Sequence, residues 1–122
     1  TSALSEPESK ALANLANSTN WTMTISYHSM GNLVYWDFAG NKVAEQSKEL
    51  AELVTGISGY RTNRSSGKGG FKDYVQIKDS PIPSLTIEVG SVACPMPASE
   101  FGNVWNSNQS IMAAVAAYAA DH

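Results

Sequence analysis

An imidazole and a carboxylate stand sixty positions apart in matching settings. His28 lies in Ser26-Tyr27-His28-Ser29-Met30-Gly31, and Glu88 in Leu85-Thr86-Ile87-Glu88-Val89-Gly90. Each closes a strand-like run just before a glycine turn. A neutral imidazole binds a divalent metal and a carboxylate takes a proton from water. Together they are ordinary parts of metal-assisted hydrolysis. The other parts are missing. A catalytic zinc site takes three protein ligands, and the sequence holds two histidines, His28 and His122, and one cysteine, Cys94. It contains no His-x-x-Glu or His-Glu-x-x-His. His122 is the last residue, where chains fray. The chain therefore reads as half of an active centre.

Each candidate also has a plain structural reading. In the Glu88 run, Leu85, Ile87 and Val89 take one face, and Thr86 and Glu88 the other. A carboxylate in a short apolar strand is costly to bury unless it is paired or used; otherwise this is an edge strand with Glu88 in solvent. The irregular stretch after Gly90 favours use, because ligands of open α/β sheets gather at strand carboxyl ends. His28 is either a hydrogen-bonded structural residue or a ligand. Lys72 and Asp73 follow Gly69-Gly70. They read as a surface helix start, with Asp73 suited to a helix N-terminus, or as a site where Lys72 offers a cation to a substrate carboxylate. Arg61 and Arg64 could do the same from a loop, solvated charge being their simpler role. Ser29 and Asn32 read as turn formers. Cys94 has no base placed near it and reads as an inert thiol.

The elements that would position these residues form an α/β pattern. Ser5, Pro7 and Glu8 predict a capped helix start, with Ala11, Leu12, Leu15 and Ala16 as its apolar stripe and a stop at residues 17–20. Residues 21–27 alternate apolar with polar, hence a strand, and residues 32–36 form a second. Asn41 caps a helix bearing Val43, Ser47, Leu50, Val54 and Ile57. Residues 57–70 show no periodicity and read as a mobile surface loop of functional length. A short helix over 71–77 follows, then Pro81 and Pro83, a strand over 85–89, an irregular stretch to Pro97, and a last helix capped by Ser99. Asn106-Ser107-Asn108 could interrupt that helix. The order implies layers around a mixed sheet. Three visible strands are few for so much helix, so strands should be missing.

Composition sets the outer limits. The 122 residues suit one domain, and the net charge is −3 without a basic run, which gives nucleic-acid binding no support. No apolar stretch reaches the ~20 residues of a membrane span. The single Cys94 allows no internal disulfide. Asn17, Asn20, Asn63 and Asn108 head Asn-x-Ser/Thr triplets, which also arise by chance. The opening on Thr1, without a start methionine or signal peptide, suggests a piece of a longer polypeptide.

Several segments in order resemble the C-terminal half of bacterial zinc carboxypeptidases, in the branch of γ-D-glutamyl-diaminopimelate peptidases. They are Leu4-Ser5-Glu6-Pro7-Glu8-Ser9-Lys10-Ala11-Leu12, the run from Ile25 to Trp36, Gly59-Tyr60 with Gly69-Gly70-Phe71-Lys72-Asp73-Tyr74, Pro83 to Gly90, and Pro95 to Phe101. The resemblance implies the C-terminal half of a three-layer αβα hydrolase fold with a mixed sheet. Residues 1–122 would then be part of one catalytic domain whose N-terminal half lies outside them. It also implies a zinc-dependent carboxypeptidase acting on peptides or peptidoglycan stems, a substrate that favours the cell exterior or envelope. His28 would be a Zn²⁺ ligand and Glu88 the general base. Lys72, with Asp73 beside it, would face the side chain of the substrate's C-terminal residue, a cation there suiting an acidic group.

Departures from the family pattern limit this. The His-x-x-Glu ligands, the carbonyl-polarising arginine and the Asn-Arg pair are absent, and Tyr60 lies too early for the mobile-loop tyrosine. The isolated chain is therefore expected to be inactive and without catalytic zinc. Its exposed sheet edge would need cover from the N-terminal half or a second copy. Two other functions fit the scaffold: a non-catalytic binding module, and an amidohydrolase of N-acyl amino acids.

Overall fold

The alternation of Leu85, Ile87 and Val89 with Ser84, Thr86 and Glu88 organises the molecule, because one face of that strand must be covered. The computed structural model describes residues 2–64, 70–91 and 95–122. Among them, four strands form one mixed sheet: β1 (Thr24–Ser29), β2 (Leu33–Tyr35), β3 (Arg61–Asn63) and β4 (Ser84–Val89), in the order β1-β4-β2-β3. β1 runs parallel to β4, β2 antiparallel to β4, and β3 parallel to β2. The helices are α1 (Pro7–Asn17), α2 (Ala44–Ser58), α3 (Phe71–Ile77) and α4 (Phe101–Ala120), the last preceded by a 3₁₀ turn at Ala98–Glu100. This is an α/β fold, as expected.

The main core joins the sheet to α2 and α4. Val34, Leu85 and Ile87 meet Leu50, Ala51, Val54, Ile111 and Val115. A smaller cluster of Ala16, Val75 and Ile82 ties α1 and α3 together just ahead of β4. No described helix is long and apolar enough to cross a membrane.

Four expectations change. β4 lies between β1 and β2, so Glu88 is not on an edge strand. The stretch 57–70 is not wholly irregular: α2 runs to Ser58, Gly59 ends it at φ +73°, and β3 follows. Three residues are too few to show period two, and pairing with β2 fixes them as a strand. Residues 65–69 and 92–94 lie outside the described residues, so the loop expected at Gly67 to Gly69 and the thiol of Cys94 do too. Neither Ser5 nor Ser99 caps with its side chain, whereas the Asn41 side-chain oxygen accepts the Val43 N–H at 2.9 Å, just ahead of α2. Finally, α4 is unbroken. The Asn108 amide donates to the Val104 carbonyl at 2.8 Å, and Ile111 and Val115 anchor the helix in the core.

Candidate functional site

Register brings the two reactive residues together. His28 on β1 pairs with Glu88 on β4, and Leu33 on β2 pairs with Glu88 from the other side. Paired residues on neighbouring strands project to one face, with strands about 4.8 Å apart. Thr24, Ser26 and His28 therefore share a face with Ser84, Thr86 and Glu88, and the apolar residues of β4 take the opposite, core face. The Thr24 hydroxyl donates to the Ser84 hydroxyl oxygen at 2.6 Å, which fixes this parity at the far end of the pair. Leu33 and Tyr35 extend the face across β2, and Arg61 and Asn63 across β3.

Glu88 carries a signal of its own. Its Oε2 is buried and has no hydrogen-bond partner among the described residues. A buried carboxylate oxygen without a partner is rare and costly, while Glu88 as a whole is only half-buried. His28 beside it is exposed.

The turns above the pair are tied together. The Gly31 N–H donates to the Gly90 carbonyl at 3.1 Å, and the Arg61 N–H to the Asn32 carbonyl at 3.1 Å. Gly90 has φ +88°, and a Cβ there would run into Met96 Sδ. Glycine is needed at that bend. The Ser91 N–H donates to Glu100 Oε2 at 2.9 Å, which holds the chain against the start of α4.

Lys72 and Asp73 are placed differently. Lys72 is 1% exposed, so the surface helix start expected there is instead buried. Its ammonium lies 2.6 Å from Asp73 Oδ1 and 3.4 Å from the Asp37 carbonyl, over the Phe38 ring at 5.1 Å. Asp37 and Phe38 follow β2, which runs antiparallel to β4, so this pair belongs to the opposite end of the sheet from Glu88. The structure joins Lys72 to Asp73 and joins neither to His28 and Glu88. His122 stacks on Tyr118 with ring centroids 3.9 Å apart, at the end of α4.

Asp37, just past the end of β2, is a buried ion-pair partner. Arg64 reaches its Oδ2 at 2.9 Å and passes over the Trp36 ring at 5.8 Å. The Asn41 amide donates to its Oδ1 at 3.0 Å. Nothing in the local sequence marks this; the partners come together only when β3 pairs with β2. Burial pushes the Asp37 carboxyl up, but hydrogen bonds from Arg64, Asn41 and the Phe38 N–H, with the charge of Arg64, outweigh it and hold the group below the ordinary carboxylate range. A lowered folded value gives stability that is complete above the unfolded value of about 3.9 and is lost as pH falls through the folded value. Carbon-detected titration by NMR should place the Asp37 midpoint below that of an exposed aspartate, and Arg64→Ala should move it up. A midpoint unmoved by Arg64→Ala would contradict this assignment.

The site face has an incomplete donor set. No three His, Cys, Asp or Glu among the described residues are grouped to hold a metal ion. His28 contributes one imidazole, short of the three ligands of catalytic zinc. The sheet is also open at β1, whose second edge has no strand among the described residues. Beside it, Tyr27, Val89, Phe101, Val104, Trp105 and Met112 line an apolar groove of 630 Å³. Phe101 and Trp105 are more than half exposed on it.

Comparison with known proteins sets this geometry in context. No family description matches the chain. No solved structure matches it either. The chain is 34% identical over 103 residues to γ-D-glutamyl-L-diamino acid endopeptidase 1 of Lysinibacillus sphaericus, an alignment covering 84% of the chain and 26% of that protein. It is 29% identical over 115 residues to the uncharacterized protein YqgT of Bacillus subtilis (strain 168), covering 91% of the chain and 30% of that protein. The chain thus spans less than a third of either relative, and its similarity is to one stretch of a peptidase.

Proposed function

We propose that this chain is part of the catalytic domain of a zinc-dependent peptidase, with Glu88 as general base and His28 as one metal ligand. The observation that carries the reading is the His28–Glu88 register pair at the carboxyl ends of two parallel strands. The similarity to an endopeptidase that acts on γ-D-glutamyl-L-diamino acid bonds supports it. A peptide containing such a bond is the substrate class we infer. The carboxypeptidase resemblance leaves cleavage near a chain terminus as the finer form of the same reading.

The described residues cannot hold zinc by themselves, since one imidazole is not a site. The remaining ligands must come from polypeptide outside them. When bound, zinc acidifies water and polarises the scissile carbonyl. The Glu88 carboxylate would take the proton of the attacking water and return it to the leaving amine. His28, in register on the neighbouring strand, projects from the same face of the sheet. We assign the open edge of β1 and the adjacent apolar groove to that same outside polypeptide, because the donor set and the sheet are incomplete on the same molecule and the relatives are more than three times as long as the aligned stretch.

The test uses the intact protein that carries this chain. It should hydrolyse a γ-D-glutamyl-L-diamino acid peptide, lose that activity to 1,10-phenanthroline and regain it with added zinc. Hydrolysis indifferent to chelation would remove the metal. Cleavage of N-acyl amino acids alone would make it an amidohydrolase. No hydrolysis of either class would favour a non-catalytic module.

A further inference from the structure

We propose that Arg61 forms an anion subsite on the Glu88 face of the sheet and receives a carboxylate of the substrate, distinct from the Lys72–Asp73 pair. The inference rests on the peptidase reading and adds a recognition residue to it. Sequence alone leaves Arg61 a loop residue, either solvated or offering a cation to a substrate carboxylate. The structure puts it in β3, in register with Leu33, which is in register with Glu88, which pairs with His28. One row across four strands thus carries imidazole, carboxylate, isobutyl group and guanidinium on a single face.

The two neighbouring arginines have different fates. Arg64 is engaged by Asp37 and Trp36. The Arg61 side chain is exposed and makes no ion pair or side-chain hydrogen bond with the described residues. Its backbone N–H is fixed to the Asn32 carbonyl, so the strand that carries it is anchored to the turn above His28. Leu33, between Glu88 and Arg61, brings no charge that could neutralise either. Glu88 Oε2 remains without a partner, so the two charges do not quench each other.

Two strand spacings put the Arg61 and Glu88 backbones roughly 10 Å apart. An arginine side chain can cover much of that distance. A scissile carbonyl over Glu88 would therefore have a cation one side-chain length away, on the side opposite His28. A guanidinium binds a carboxylate through two parallel hydrogen bonds. The ligand that fits is an acidic group at the end of a substrate side chain.

The experiment measures steady-state kinetics of the intact protein on two peptides, identical except that this side-chain carboxylate is free in one and amidated in the other. Arg61→Ala should raise KM for the free acid by about 10- to 100-fold, with kcat within about twofold, and leave the amide substrate unchanged. Arg61→Lys should recover part of the loss. Equal losses on both peptides, or an unchanged KM on the acid, would overturn the subsite and leave the peptidase reading standing. A wild-type protein that cleaves neither peptide would end the peptidase reading and the subsite with it.

Discussion

Glu88→Gln in the intact protein should lower kcat by about 10²- to 10⁴-fold, the range expected for loss of a general base. The fold should survive. Gln matches Glu in size, and Glu88 Oε2 makes no hydrogen bond that the substitution would break. Its neighbours Leu85 and Ile87 keep their packing on the opposite face of β4. Thermal unfolding of the variant should therefore stay within a few degrees of the parent while turnover collapses. The pairing of these results matters. A carboxylate serving stability would lower both together, and a solvated one would change neither. A kcat within threefold of wild type in a folded Glu88→Gln variant would remove the catalytic role.

Much of this site is legible in the sequence, and the reasons are local. The alternation in Leu85 to Val89 sorts Glu88 away from the core face, and Gly90 marks the bend that ends the strand. The run from Thr24 to His28 has the same pattern before Gly31. Facing two such strands requires only that they be parallel neighbours, which the observed register supplies. Other features depend on pairings that no local pattern announces. β3 is three residues long, so Arg61 looks like loop until β2 claims it. Nothing near Asp37 in sequence announces its partner, because Arg64 reaches it from just beyond the end of β3. Lys72 looks like a solvated cation at a helix start. Its burial comes from Asp73 and the Phe38 ring, which lie on separate parts of the chain and meet only in the folded molecule.

The helical segments divide the same way. Asn106-Ser107-Asn108 has weak intrinsic helix preference, yet α4 runs through it because Ile111 and Val115 are held in the core. Tertiary packing overrides propensity there. The same helix leaves Phe101, Trp105 and Met112 on a face with no described partner.

His28→Ala carries the second large effect. A catalytic zinc held by three protein ligands cannot spare one of them without a steep loss of affinity, and the open coordination position is already reserved for water and substrate. The same ion does not depend on Glu88, whose part is to move a proton. Metal content of the purified intact protein separates these roles directly, and it does so without an activity assay. One zinc per molecule is expected in the wild type and in Glu88→Gln, and close to none in His28→Ala after dialysis against a mild chelator. Full zinc retention by His28→Ala, or a wild type that holds no zinc at all, would contradict it.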